Sequence, residues 1–106
     1  MSSTERDLRV TVAALMFATG ETQTDLGAAI GLAQAQVSRR QAGTTPWTLA
    51  DVDRLAAHYG IPVPDLLAGA DHAVRRLPAH RRAATLGGTQ TVIGTTSTDE
   101  EGGGRE

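Results

Sequence analysis

A chain of 106 residues with 40% apolar content is long enough for one small hydrophobic core and too short for a second full domain. It has no cysteine, which excludes disulfides and thiolate metal sites, and its net charge of −2 argues against a protein that coats nucleic acid indiscriminately. No window approaches the run of about 18 apolar residues that spans a membrane, and the N-terminus lacks the blocks of a secretory signal, so we expect a cytoplasmic protein with no membrane partner.

The first predicted element is an amphipathic helix over residues 5–19, which ends at Gly20. Its apolar positions recur at helical spacing: Leu8, Val12, Leu15 and Met16, with Val10, Ala14 and Phe17 widening the stripe. We expect Phe17 to lie in the core.

Two short helices are predicted next. Thr22 and Asp25 have the spacing of a capping box, which opens a helix over 23–29 that is ended by Gly31. A third helix over 33–41 has only Val37 firmly on an apolar face, so most of it should lie on the surface.

The fourth helix, over 49–59, opens on a second capping box, formed by Thr48 and Asp51, and Gly60 ends it. Its apolar side carries Leu49, Val52, Leu55, Ala56 and Tyr59. Pro64 suits the first turn of a fifth helix that runs to Leu67. Trp47 and Tyr59 are expected in the core.

A basic extension, residues 70–86, follows, with a charge of +3 over residues 71–86. One interpretation is an arm that tracks DNA phosphates with Arg75, Arg76, Arg81 and Arg82. The other is a sixth helix that packs through Val74 and Leu77 on the core or on a second copy of the chain, with the arginines in solvent. Residues 87–106 are rich in Gly, Thr and acid, and we predict a disordered tail, with a dimer edge strand at 89–93 as the less favoured alternative.

Residues 23–39 meet the demands of a helix-turn-helix unit. Gly27 is small where two helices would cross, Gly31 suits a left-handed turn, and apolar residues that fix the crossing stand at Leu26, Ile30, Leu32 and Val37. This stretch resembles the lambda-repressor-like, Cro/XRE-type family, and the resemblance covers residues 5–69. It implies an all-α, five-helix domain and a repressor or other transcriptional regulator, as in members from actinobacteria and their phages.

The resemblance also implies the surfaces that meet double-stranded DNA, since the third helix of such proteins enters the major groove. The implied base-facing residues are Ala33, Gln34, Ala35, Ser38 and Arg39. The implied phosphate contacts are Gln23, Arg40, Thr44, Thr45 and Thr48. A homodimer on a palindromic operator is the expected assembly.

Two positions depart from the family pattern. Arg40 stands where a buried apolar residue is usual, and we expect it to point outward to a phosphate, with Trp47 filling the volume, because a buried unpaired arginine would be prohibitive. The alternative is that the third helix ends differently here. Ala33 replaces the usual Ser or Thr and should cap that helix weakly.

Other functions have less support in the sequence. The sequence shows no pairing of a nucleophile with a base and no cluster of metal ligands. The three histidines, His58, His72 and His80, are most simply surface residues. We therefore expect no enzyme, no cofactor, no metal and no small-molecule substrate. The alternative function is a repressor-like module that binds RNA polymerase or another regulator.

Overall fold

The computed structural model describes residues 3–83, all of whose regular elements are helical. The six α-helices are α1 (Ser3–Thr19), α2 (Gln23–Ile30), α3 (Gln34–Ala42), α4 (Leu49–Tyr59), α5 (Val63–Leu66) and α6 (Ala70–Arg76). A single 3₁₀ turn, Ala79–Arg81, follows α6. The predicted all-α class is confirmed, while the predicted tail at 87–106 and the alternative strand at 89–93 lie outside the described residues.

Local sequence signals set the helix boundaries. Thr22 with Asp25, and Thr48 with Asp51, each form the reciprocal capping box that the sequence predicted. Gly31 and Gly60 end α2 and α4 in the left-handed conformation, with φ of 78° and 71°. The helices therefore begin and end close to where the sequence placed them.

One core joins all six helices. Its side chains come from one face of each element and include Leu8, Val12, Leu15, Leu26, Ile30, Val37, Val52, Leu55, Tyr59, Leu66, Ala73 and Leu77. Tyr59 and Trp47 are both buried, as predicted. No helix among residues 3–83 combines the length and apolarity that crossing a membrane requires.

The outer face of α1 differs from the prediction. Phe17 is 75% exposed and Val10 is 57% exposed, so their expected burial is wrong. The residues that α1 buries, such as Leu8 and Leu15, lie on the opposite side of the helix, since each residue advances the helix by about 100°. Leu49, expected on the apolar side of α4, is 84% exposed at the first position of that helix.

Helix α6 belongs to the same core as the preceding helices. It packs on α1, burying Ala73 and Leu77, with Val74 partly buried against the core. The backbone N–H of Ala83 then donates to the carbonyl of Ala18 at 2.8 Å. The sixth-helix interpretation is therefore confirmed, with this helix packed on the chain's own core.

Candidate helix-turn-helix interface

The crossing of α2 and α3 depends on Gly27 and Gly31. A Cβ placed on Gly27 would lie 2.4 Å from the backbone oxygen of Leu32, closer than real Cβ atoms approach. Gly31 ends α2 with its N–H donating to the Gly27 carbonyl, and the N–H of Leu32 donates to the same oxygen at 2.9 Å. This turn holds the start of α3 at a fixed angle to α2, as a helix-turn-helix unit requires.

A side-chain hydrogen bond joins the first turns of the two helices. The Nε2 amide of Gln34 donates to Oε1 of Gln23 at 2.8 Å. Each amide has two N–H donors and one carbonyl acceptor, so this bond leaves both Gln23 N–H groups and the Gln34 carbonyl available to a ligand. The structure thus brings together one residue predicted to contact a base and one predicted to contact a phosphate.

The other predicted base-facing residues lie on the surface of α3 or just before it. Ala33, Ala35 and Arg39 are exposed, and Ser38 is half-buried. Within residues 3–83, the Arg39 side chain has no hydrogen-bond or ion-pair partner. Nothing in this part of the chain therefore competes with an external group for its guanidinium.

Helix α3 begins with half of a capping box. Ala33 offers no side-chain acceptor, whereas the backbone N–H of Ala33 donates to Oε1 of Gln36 at 2.8 Å. The weak cap predicted at Ala33 is confirmed, because the N–H groups of the first turn receive no side-chain oxygen from it.

The loop after α3 holds three of the predicted phosphate contacts. The backbone N–H groups of Thr44 and Thr45 donate to the carbonyl of Arg39 at 3.0 and 3.3 Å, so their hydroxyls are the groups left to meet a phosphate. Thr48 is exposed, but its hydroxyl accepts from the Asp51 N–H at 3.0 Å. Its hydroxyl proton stays available as a donor.

Arg40 is the fifth predicted phosphate contact, and its expected orientation is wrong. Its Nε lies 2.9 Å from Oδ2 of Asp51, and the two side chains are only 13% and 3% exposed. The guanidinium also lies over the Trp47 ring, 5.8 Å from its centroid. Arg40 points inward because a buried carboxylate pairs with it, a partner that the sequence argument did not supply.

Asp51 serves two structural roles. It accepts from the N–H of Thr48 at 3.0 Å in the capping box and binds Arg40. Burial would raise the pKa of the Asp51 carboxyl, but the Thr48 N–H and the Arg40 guanidinium outweigh it and hold that pKa below its ordinary value. Asp51 therefore stays ionised at neutral pH.

Trp47 and Gln41 complete the support beneath α3. The indole N–H of Trp47 donates to Oε1 of Gln41 at 3.0 Å, and Nε2 of Gln41 donates to the carbonyl of Arg9 at 3.0 Å. The predicted burial of Trp47 is confirmed, since it is 9% exposed, but it shares this volume with the inward-pointing Arg40 and does not replace it.

The four arginines of the predicted basic arm are placed differently from one another. Arg81 lies over the Tyr59 ring and donates to the His58 carbonyl at 3.1 Å. Arg82 donates to the Val74 carbonyl at 2.7 Å, Arg76 lies 3.5 Å from Asp65, and Arg75 is exposed. Arg81 thus has a structural role. Arg75, Arg76 and Arg82 are exposed and place their positive charge on the surface of the domain.

A polar cluster that sequence reasoning missed lies where the chain turns from α1 into α2. Glu21 accepts from the Tyr59 hydroxyl at 2.7 Å, pairs with His58 and lies 3.8 Å from Arg81. Burial and the Glu21 carboxylate raise the pKa of Tyr59, which keeps its hydroxyl a donor.

The remaining histidines differ in setting. His58, with its side chain 18% exposed, is not the surface residue we expected. His72 lies 2.8 Å from Asp65 and is 40% exposed, and His80 is exposed. Residues 3–83 contain no group of three histidine, cysteine, aspartate or glutamate side chains arranged to hold a metal ion.

Together, the fixed crossing of α2 and α3 and the polar surface of α3 define a helix-turn-helix domain. The chain belongs to the BetR domain family, whose model matches residues 3–93. The BetR domain is a helical domain associated with helix-turn-helix regulators, and membership of this family indicates a regulatory role for the chain. Searches of curated proteins and of solved structures returned no match.

Proposed function

We propose that the protein is a sequence-specific DNA-binding transcriptional regulator, a repressor of the lambda-repressor-like kind that binds a palindromic operator as a homodimer. One observation carries the proposal. The exposed surface of α3 presents Gln34, already bonded to Gln23, and, five residues later, Arg39, whose guanidinium has no partner within residues 3–83.

The chemistry of these two side chains suits base edges in the major groove. The Gln34 amide can accept from the adenine amino group and donate to adenine N7, while the Arg39 guanidinium can donate twice to guanine. The methyl groups of Ala33 and Ala35 are suited to contact the thymine methyl. Each bidentate pair contributes about 1–3 kcal/mol of discrimination between bases.

Contacts to the DNA backbone would fix the position of α3. Gln23 lies in the first turn of α2, where its free amide N–H groups and the positive end of the helix dipole favour a phosphate. The hydroxyls of Thr44, Thr45 and Thr48 provide a second set of donors beyond the other end of α3. Arg40 is not one of these phosphate contacts, because its ion pair with Asp51 holds it inside the fold.

A homodimer is proposed because one α3 reads few base pairs. Two copies related by a two-fold axis would present their α3 helices to half-sites about 34 Å apart, one turn of DNA. The proposal includes no catalytic step, no cofactor and no small-molecule substrate.

The test begins with selection of bound sequences from a random pool of double-stranded DNA. Binding of the selected duplex is then measured by fluorescence anisotropy at about 50 and 200 mM salt. Gln34→Ala and Arg39→Ala should each weaken specific binding by about 5- to 150-fold, which corresponds to 1–3 kcal/mol, with an unchanged circular dichroism spectrum. Arg54→Ala removes the same charge from α4, where the Arg54 side chain is 54% exposed and lies 3.4 Å from Asp51. Because such an exposed pair contributes little, this variant should bind as the wild type.

Equal affinity of the wild type and both α3 variants would contradict the assignment of these residues. If no sequence is enriched at either salt concentration, the proposed DNA-binding function is wrong. The better hypothesis is then a repressor-like module that binds RNA polymerase or another regulator.

A further inference from the structure

The outer face of α1 carries a stripe of apolar side chains that the fold leaves exposed or, at Ala14, half-buried. It consists of Val10, Ala13, Ala14 and Phe17, spaced by three and four residues so that they share one side of the helix. Phe17 is 75% exposed and Val10 is 57% exposed. A contiguous apolar patch of this kind marks an interaction surface more often than isolated exposed residues do.

We propose that this α1 stripe is the surface through which two copies of the chain pair, with their α1 helices antiparallel. A two-fold axis between residues 13 and 14 would set Val10 of each copy against Phe17 of the other. The two alanines would meet at the centre, where small side chains let helix axes approach to about 8 Å. The stripe is therefore complementary to itself, as a two-fold interface requires.

Charge at the two ends of the stripe favours a second copy in this orientation. Arg6 lies one turn before Val10 on the same side of α1, is exposed, and has no ion pair within residues 3–83. The other end of α1, the negative end of the helix dipole, has no basic residue in its last turn. Antiparallel pairing brings Arg6 of each copy to the negative end of the other helix, whereas parallel pairing would oppose the two arginines.

The expected dimer is weak. One pair of helices buries less than the roughly 1,200–2,000 Å² of a stable interface, so association should depend on concentration. DNA that carries two half-sites would raise the effective concentration of one copy near the other. This inference rests on the proposed function, since it names the surface that would join the two DNA-binding units.

Because the chain has no cysteine, single cysteine substitutions test the contact directly. In the full-length chain, Ala13→Cys should form a disulfide-linked dimer under mild oxidation, because residue 13 lies beside the two-fold axis. Ala57→Cys makes the same change at an exposed position of α4 and should stay monomeric. Equal cross-linking of the two variants, or none at residue 13, would overturn the proposal, and the second result is also expected if the chain's own residues 84–106 cover the stripe.

Sedimentation equilibrium gives an independent readout. Phe17→Asp should raise the dimer dissociation constant by at least about tenfold, since it replaces two apolar contacts with two charges. Phe17→Leu should retain most of the association. Leu49→Asp, at an apolar residue that is 84% exposed on α4, should leave it unchanged. Dissociation by Leu49→Asp alone, or a wild-type chain that is monomeric at all concentrations, would overturn the proposal.

Binding to DNA with a single half-site separates this inference from the proposed function. Phe17→Asp should bind DNA with one half-site as tightly as the wild type does. It should lose only the additional affinity that the wild type has for DNA with two half-sites. If half-site binding requires Gln34 and Arg39 but Phe17→Asp changes no measurement, the pairing surface is wrong and the DNA-binding function stands. If neither Gln34→Ala nor Arg39→Ala changes the affinity for one half-site, the proposed function itself is wrong.

Discussion

Among single side chains, the contact between Arg40 and Asp51 most changes the set of residues proposed to bind DNA. An arginine on the proposed DNA-binding helix is readily interpreted as a phosphate ligand, and the sequence offered no reason to pair it with a residue eleven positions later. The capping role of Asp51 was sufficient to explain a carboxylate at this position, so nothing in the sequence indicated that it also pairs with Arg40. Sequence periodicity likewise misplaced Phe17, because the width of an apolar stripe does not show how much of it other helices cover.

The first prediction concerns removal of the Asp51 carboxylate. Asp51→Ala should lower the free energy of unfolding by about 3–5 kcal/mol, because it leaves the largely buried Arg40 unpaired, with the lost cap adding about 1 kcal/mol. Chemical denaturation at pH 7 measures this. A loss below about 1 kcal/mol, typical of an exposed ion pair, would contradict the structural role of the contact.

The second prediction concerns pH. The pKa of Asp51 is lowered in the folded state, so its contribution to stability is present above its unfolded value near 4 and is lost as pH falls through the folded value. Wild-type stability should therefore decline from about pH 5 downward. Asp51→Asn, which cannot titrate, should be less stable at pH 7 and decline less over the same range. Parallel curves for the two proteins would contradict this assignment.

At the scale of elements, the two glycines of the helix-turn-helix unit have different physical reasons to be glycine. Gly27 lies within α2, where an added Cβ would collide with the backbone of Leu32, whereas Gly31 has open space but a left-handed conformation. Sequence reasoning identified both positions, because the crossing of two helices and the turn between them impose local requirements.

The third prediction compares alanine at these two positions. Gly27→Ala should destabilise the fold by about 2–3 kcal/mol, since the clash with a backbone atom exceeds the gain of up to about 1 kcal/mol in helix propensity. Gly31→Ala should lose only about 1–2 kcal/mol, the cost of a left-handed residue with a Cβ. Thermal unfolding of both variants measures the order, and a more stable Gly27→Ala protein would contradict the crossing geometry.

For the molecule as a whole, residues 70–83 form part of the core. Ala73 and Leu77 are buried with α1, and Arg81 binds the Glu21, His58 and Tyr59 cluster. The sequence predicted the first five helices and most of their boundaries, because caps and apolar spacing are local signals. It did not decide between a basic arm and a packed helix, since that depends on partners far along the chain.

The fourth prediction concerns this C-terminal attachment. Arg81→Ala should lower the free energy of unfolding by about 1.5–3 kcal/mol, because it removes hydrogen bonds made by a charged and largely buried group. Arg75→Ala, at an exposed position of α6, should change it by less than about 0.5 kcal/mol. Equal effects in urea denaturation would show that the cluster does not hold residues 79–83 to the core.

The central claim is that α3 reads DNA sequence through Gln34 and Arg39. The most direct measurement repeats the selection from random DNA with Arg39→Ala in place of the wild type. The expected result is the same operator with the preference for guanine lost at one position in each half-site, because a bidentate arginine contact specifies that base. An operator identical at every position would contradict the claim.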